Sequence, residues 1–373
     1  AIDHLQNILH KRFKNRTCFG LYVHIPFCAT KCAYCDFYSL KYNKETVEKY
    51  VEEMCQRLKN IDNVFDTVYF GGGTPSIIGA DNLIKILGNI HYKDNAEIPV
   101  EVNPRTFKKE FFNKLYKGGF NRVSVGLQSA NETELEKLTR NHKAIDVANA
   151  VNLAKQAGFK NISLDLMLGI ENQTISSLKN SIDFCLNLDI THLSCYMLKI
   201  EKNTPFANMN LNLPSDDEVS NMYLFLCDYL ENNGFEHYEI SNFAKIGFES
   251  KHNLIYWKCE NYLGLGPAAH SFINGKRYYF PNDINYFLDK NEYIYSEDGG
   301  DLFDYIMLGL RLNSGIKFDY LKNNGFNLDN KFKKKLELLE KNDLIKLDCN
   351  GFALTNKGFL VQNSIICELT EDL

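Results

Sequence analysis

From Leu21 to Asn233 the chain alternates short β-type runs with helix-length segments, and this limits the fold to a series of parallel βα units. The expected strands are Leu21–Ile25, Thr67–Phe70, Pro99–Val102, Arg122–Val125, Ile162–Met167 and His192–Met197. The expected helices are Lys44–Lys59, Ala80–Leu87, Lys108–Lys117, Ala144–Ala157, Ser176–Leu188 and Asp216–Asn233. Gly118, Gly158 and Gly234 each follow a helical stretch, where a capping glycine belongs. The pattern predicts an α/β fold, a partial (β/α)6 barrel open along one side. A complete eight-unit barrel is the alternative, but no two further βα units precede the change of character near residue 245.

The loop after the first strand carries Cys28, Cys32 and Cys35 in the run LYVHIPFCATKCAYCDFYS. A C-x3-C-x2-C triad suits a [4Fe-4S] cluster, because three thiolates hold three irons and leave the fourth open to a non-protein ligand. A zinc site or three buried cysteines is the competing explanation. Zinc motifs usually pair two C-x2-C units or add nearby histidines, and no second pair exists here.

Functional residues of a barrel gather where strands end and loops begin. Gly71-Gly72-Gly73-Thr74-Pro75 follows the second strand, and its glycines let backbone amides approach a ligand, although a plain tight turn explains such a run equally well. Glu101 ends the third strand, Gln128 the fourth, Arg140 follows, and Asp165 lies on the fifth. Each alone reads as an ordinary solvated or capping group.

Together with Tyr22 and His24 ahead of the triad, these motifs resemble the radical S-adenosylmethionine superfamily. The wording HIPFC and YCDF resembles its HemN branch, and within that branch the HemW heme chaperones rather than the oxygen-independent coproporphyrinogen III oxidase. The resemblance covers most of the chain. It implies that the open iron chelates the methionyl amine and carboxylate of S-adenosylmethionine. It also implies a cofactor pocket of Tyr22, Gly72, Gly73, Thr74, Glu101, Gln128, Arg140 and Asp165, with Tyr34 near the adenine. The oxidase resemblance would require a fourth cysteine two positions beyond the triad, and that position is Phe37. A second signature, His252-Asn253-Leu254-Ile255-Tyr256-Trp257, is the HNxxYW sequence of the chaperones and holds the only tryptophan of the chain. By that resemblance His252 binds heme iron, with Asn253, Tyr256 and Trp257 beside it. A neutral imidazole is a good axial ligand and aromatic neighbours cover the porphyrin face. A core histidine packed beside tryptophan is the plain alternative. Cys259 and His270 are nearby candidates for a second axial ligand, with nothing in the sequence selecting either of them or none, and His24 is expected to be structural or pocket-lining.

Beyond the motif, Gly264–Ser271 reads as a glycine-rich turn shaping the barrel mouth. From Asp301 the pattern turns helical. Phe303–Arg311 and Asp329–Asn342 are expected helices, and Asn350-Gly351 between Leu344–Leu347 and Phe352–Leu354 signals a hairpin, a winged-helix-like arrangement. Three units are therefore expected: a core barrel over 1–245, a connecting segment over 246–300 and a mostly helical C-terminal domain over 301–373. The same topology often binds DNA, which leaves a cluster-sensing regulator as a third reading.

With 373 residues, 45% hydrophobic and 24% charged, the chain can bury a full core, and a net charge of −5 argues against a general nucleic-acid binder, with a local basic patch left at Lys331–Lys335. Eleven cysteines and no apolar run of about 18 residues exclude a secreted disulfide scaffold and a membrane span. The remaining cysteines, from Cys18 to Cys367, lack ligand spacing. The polar start AIDHLQNILHKRFKNRT does not suit a signal peptide, so a cytoplasmic protein is expected, with a trimmed organellar precursor as the alternative. The acidic tail Glu368–Asp372 reads as a solvated end. The expected partners are heme, a heme-accepting protein such as a respiratory one, and an electron donor for the cluster.

Overall fold

The computed structural model describes residues 18–107, 109–290 and 292–371. The amphipathic start at 1–17, Lys108 at the head of the third expected helix and Asp372 of the acidic tail lie outside the described residues.

Six parallel strands stand where the alternation predicts: β1 (Gly20–Ile25), β2 (Phe65–Gly72), β3 (Pro99–Val102), β4 (Arg122–Gln128), β5 (Asn161–Leu168) and β6 (His192–Met197). Each pairs in parallel with its sequence neighbour. The helices between and after them are α1 (Lys44–Leu58), α2 (Ala80–Leu87), α3 (Phe111–Lys117), α4 (Glu132–Lys137), α5 (Ala144–Ala157), α6 (Ile175–Asn187) and α7 (Asp216–Asn232). The short α4 is additional to the six expected. Gly158 and Gly234 take the left-handed conformation at helix ends, with φ of 110° and 82°, but after α3 that role falls to Gly119 at 104°. Gly118 stays right-handed, and a Cβ there would press on Ile84.

Side chains alternate across each strand. Leu21, Val23, Ile25, Val68, Phe70, Val100, Val123, Val125, Ile162, Leu164 and Leu193 belong to one buried hydrophobic core with the helices. Burying each such side chain contributes about 1.5–3 kcal/mol before the entropy of ordering it is counted. The residues between them are mostly polar, and the register aligns them across strands: Tyr22 with Tyr69, Glu101 with Ser124, and Asp165 with Ser194. The sheet thus has an apolar face under helices and a polar inner face.

A seventh parallel strand, which the sequence reading missed, lies beside β1. Within 246–300, β9 (Tyr262–Leu265) pairs Gly20 with Tyr262 and Val23 with Leu265. Gly264 and Leu265 are therefore strand rather than turn, and the bend follows at Gly266 and Ala268, with φ of 120° and 64°. Glycine is required at 264, since a Cβ would lie 2.0 Å from the His270 carbonyl oxygen. Antiparallel strands extend both edges. After β6 come β7 (Glu236–Glu239) and β8 (Asn242–Ala244); after β9 come β10 (His270–Ile273), β11 (Lys276–Tyr279) and β12 (Ile294–Asp298). The path runs β7-β8-β6-β5-β4-β3-β2-β1-β9-β10-β11-β12, with Tyr92–Glu97 pairing β2 off the path. Asn274-Gly275, with φ of 51° and 74°, makes the tight β10–β11 turn.

The C-terminal region carries α9 (Leu302–Gly309), α10 (Asn330–Lys341) and α11 (Gln362–Thr370) with a three-stranded antiparallel sheet, β13 (Ile316–Lys317), β15 (Gly351–Leu354) and β14 (Ile345–Leu347) in that order. The hairpin read from Asn350-Gly351 is present, and Asp348 Oδ1 accepts the N–H groups of both residues at 2.7 and 2.9 Å. Arg311 joins this region to the rest: its carbonyl accepts the Ile240 N–H at 2.8 Å, and its guanidinium lies 5.0 Å from the Trp257 ring centroid.

Candidate functional site

The loop between β1 and α1 carries Cys28, Cys32 and Cys35, all free thiols of intermediate exposure. It is pinned from several sides. The N–H of Cys35 donates to the Cys32 carbonyl at 3.1 Å, that of Tyr42 to the Cys28 carbonyl at 2.9 Å, and that of Ala33 to Thr139 Oγ1 at 2.9 Å. Behind the loop, Gly73 and Thr74 donate to the carbonyls of Ile25 and Phe27, both at 2.8 Å. A Cβ on Gly73 would lie 2.8 Å from the Phe27 oxygen, so the glycine run permits this backbone approach. Two donors face the thiols: Thr74 Oγ1 toward Cys28 Sγ at 3.5 Å and Arg140 Nη1 toward Cys32 Sγ at 3.3 Å. Phe37 is 63% exposed.

A cavity of about 400 Å³ opens beneath the loop on the polar inner face of the sheet. Its walls include the three cysteines, Tyr34, Gly72, Gly73, Thr74, Glu101, Gln128, Arg140 and Asp165. Eight of the nine residues expected around S-adenosylmethionine thus line one cavity. Tyr22 does not; it stands behind the wall with its hydroxyl 3.0 Å from His24 Nδ1, while His24 Nε2 meets the Tyr38 carbonyl at 3.1 Å. Gln128 owes its position to a bulge between Gly126 and Gln128 and to a left-handed φ of 68°, a conformation a non-glycine residue holds at some cost.

Two carboxylates recessed in the cavity wall give it its electrostatic character. Glu101 accepts from the Tyr69 hydroxyl at 2.8 Å and the Gly72 N–H at 3.2 Å. Burial pushes its carboxyl up to about 7, against the relief those bonds give. Asp165 accepts from Ser124 Oγ at 2.9 Å, and burial raises it to about 6. Carboxyls held this far above their ordinary range favour a cationic guest, whose charge repays the desolvation. The donor set therefore fits both groups. Three soft thiols suit iron, and the Glu101 and Asp165 carboxyls with the Arg140 guanidinium suit a ligand with a cationic centre and a carboxylate. Among the described residues no three His, Cys, Asp or Glu side chains are gathered as a single bound ion needs; a cubane instead asks for thiolates at three separate corners.

The HNxxYW sequence forms a short helix, α8 (Lys251–Trp257), capped by Ser250. Ser250 and Asn253 line the same cavity as the cysteines, so α8 is part of its wall. His252 is 1% exposed. Its Nδ1 lies 2.7 Å from Thr67 Oγ1 and its Nε2 2.7 Å from the Tyr256 hydroxyl. Burial pushes it down to about 3, so the imidazole is neutral. Its ring centroid lies 5.1 Å from that of Tyr69, the donor to Glu101. Trp257 faces away, against Arg311. The two other ligands considered differ. Burial pushes the Cys259 thiol up to about 12, whereas His270 is exposed and stacks on Tyr279 with centroids 5.7 Å apart.

Sequence reasoning missed Tyr69, Ser124, Ser163, His192, Ser194 and Tyr196, which line the cavity. Their signal was available in the alternation: each stands one place from an apolar strand residue, on the inner face. It also missed Glu97 and Arg122, a buried pair 3.2 Å apart that holds the start of α8.

Residues 22–185 match the radical SAM superfamily, and residues 301–361 match the HemN C-terminal domain. The chain is similar to the heme chaperone HemW of Lactococcus lactis subsp. lactis, with 33% identity covering 92% of this chain and 95% of that one. It is similar to HemW of Bacillus subtilis at 34% identity, covering 92% and 97%, and to HemW of Escherichia coli at 34% identity, covering 68% and 70%. Among solved structures, coproporphyrinogen III oxidase (HemN) from Escherichia coli, a radical SAM enzyme, superposes with a TM-score of 0.82 at 21% identity, covering 97% of this chain and 92% of that one. That last likeness is one of fold.

Proposed function

The chain belongs to the HemW family within the radical SAM superfamily, and from this premise we propose that it is a heme chaperone: it binds heme and passes it to an acceptor protein. Identity of about one-third along nearly the whole length of curated chaperones carries this reading. The position where the oxidase resemblance requires a fourth cysteine supports it, since Phe37 points largely to solvent and supplies no thiol. The oxidase alternative has no comparable support.

Cys28, Cys32 and Cys35 are assigned to a [4Fe-4S] cluster. When bound, the cluster supplies an electron source with one open iron for S-adenosylmethionine. Arg140 meets the cofactor carboxylate, and Glu101 and Asp165 receive its cationic groups and hydroxyls. Gly72, Gly73, Thr74 and Gln128 bound the pocket, and Tyr34 covers the adenine. Heme is assigned to the HNxxYW segment, with His252 as iron ligand and Asn253, Tyr256 and Trp257 beside it. In the described conformation both nitrogens of His252 are occupied, so ligation requires α8 to move. The acceptor is a heme protein, a respiratory one being the natural choice, and a separate electron carrier reduces the cluster. A reducing cytoplasm suits eleven unpaired cysteines, and no described helix is long and apolar enough to cross a membrane.

The test is an anaerobic heme titration of cluster-reconstituted protein followed through the Soret band. Saturable binding of a single heme, releasable to an apo-heme acceptor, is expected. Absence of binding, or anaerobic conversion of coproporphyrinogen to protoporphyrinogen, would overturn the proposal.

A further inference from the structure

His252 cannot ligate iron where it stands. Each ring nitrogen meets a hydroxyl at 2.7 Å, so whichever tautomer is present, the lone pair that iron would take is engaged by Thr67 or Tyr256. A porphyrin also cannot reach a ring that is 1% exposed.

The same helix is held in place by a device outside every motif. The Glu97 carboxylate accepts the N–H groups of Lys251 and His252 at 3.2 and 3.1 Å, satisfying two of the orphan donors that open α8. Arg122 Nη1 reaches Glu97 at 3.2 Å and the carbonyls of Phe248 and Glu249 at 3.0 and 3.3 Å. One buried ion pair thus grips the helix start and the chain leading into it.

Released from this grip, α8 would take Ser250 and Asn253 out of the cavity wall and remove His252 from the face of Tyr69. Tyr69 donates to Glu101 at 2.8 Å, so the ring on which His252 packs is the one that supports a cofactor-side carboxylate. We infer that α8 is shared between the two sites: seated by Glu97, Arg122 and Thr67 it completes the S-adenosylmethionine cavity, and displaced it frees His252 for heme. Each ligand then favours a different position of one helix, and by linkage each weakens the other's binding to the same degree. Loading S-adenosylmethionine would drive heme off toward an acceptor. The inference rests on the heme-chaperone reading of the site.

The experiment is the heme titration of reconstituted protein with and without saturating S-adenosylmethionine, on the wild type, Thr67→Val and Glu97→Gln. Thr67→Val removes one hydroxyl from His252 at nearly constant volume and serves if Glu97→Gln does not fold. S-adenosylmethionine is expected to weaken heme binding about tenfold in the wild type, and Thr67→Val to tighten heme and loosen S-adenosylmethionine. Equal or tighter heme binding in the presence of S-adenosylmethionine overturns the coupling and leaves the chaperone reading standing. A wild type that binds no heme under either condition overturns both.

Discussion

Arg140 donates through Nη1 to the Cys32 sulfur at 3.3 Å, while its Nη2 is fixed on the Gly126 carbonyl at 3.1 Å. A cation bonded to a cluster thiolate stabilises the more negative, reduced state. Arg140→Gln should therefore lower the midpoint potential by roughly 60 mV, the one-electron equivalent of about 1.4 kcal/mol. A redox titration monitored by electron paramagnetic resonance, without S-adenosylmethionine, reads this directly. An unchanged potential would show that the bond does not act on the cluster.

Glu101 and Asp165 make cofactor binding depend on pH. Their folded values of about 7 and about 6 lie above the ordinary 4.5 and 3.8 because burial disfavours the charged forms. For the unliganded fold, the stability these groups contribute is present below about pH 4 and is lost as pH rises through 6 to 7. S-adenosylmethionine, bound by the ionised forms, should gain affinity over that window and level off above it. Equilibrium dialysis at pH 5.5, 6.5 and 8 is expected to show at most about tenfold per unit per group, with Glu101→Gln flattening the upper part. A flat wild-type profile would remove these carboxylates from cation recognition.

His252→Ala should weaken heme binding at least tenfold in the Soret titration. It should also destabilise the fold by about 2 kcal/mol, since the Thr67 and Tyr256 hydroxyls lose their buried partner. If the variant unfolds more easily but binds heme as before, the ligand lies elsewhere, and the exposed His270 becomes the residue to replace.

The side chains of Glu97 and Arg122 are 5% and 4% exposed. Removing one leaves the other charged and buried, so Glu97→Ala should cost about 3–5 kcal/mol in urea unfolding. The double replacement Glu97→Leu with Arg122→Met should recover most of that loss. A double variant no more stable than Glu97→Ala would mean that the hydrogen bonds to Phe248, Glu249 and α8 matter more than charge burial.

Cys28→Ser, Cys32→Ser and Cys35→Ser should each lose most of the iron after reconstitution. Phe37→Cys should leave it at about four per chain, because three thiolates already hold the cubane. Iron and sulfide analysis distinguishes these outcomes, and full iron in any triad variant would displace that residue as a ligand.

Much of this protein is fixed by short-range pattern. Three thiols on one loop, three glycines at a strand end, an Asn-Gly turn and six βα units are properties of residues a few positions apart, so they survive in the sequence without knowledge of the fold. What the tertiary structure decided depends on which distant segments meet. β9 joins β1 because the sheet offers a free parallel edge there, although the residues around Gly264 read as a turn. Ser250 and Asn253 enter the wall that Cys28 roofs because α8 is seated by Glu97 and Arg122, which belong to no motif. His252 reads in sequence as a heme ligand beside aromatics, or as a core histidine packed beside tryptophan. In the fold it is a sealed residue between Thr67, Tyr69 and Tyr256, because hydrogen-bond partners that set its availability come from strand β2 and from its own helix at once.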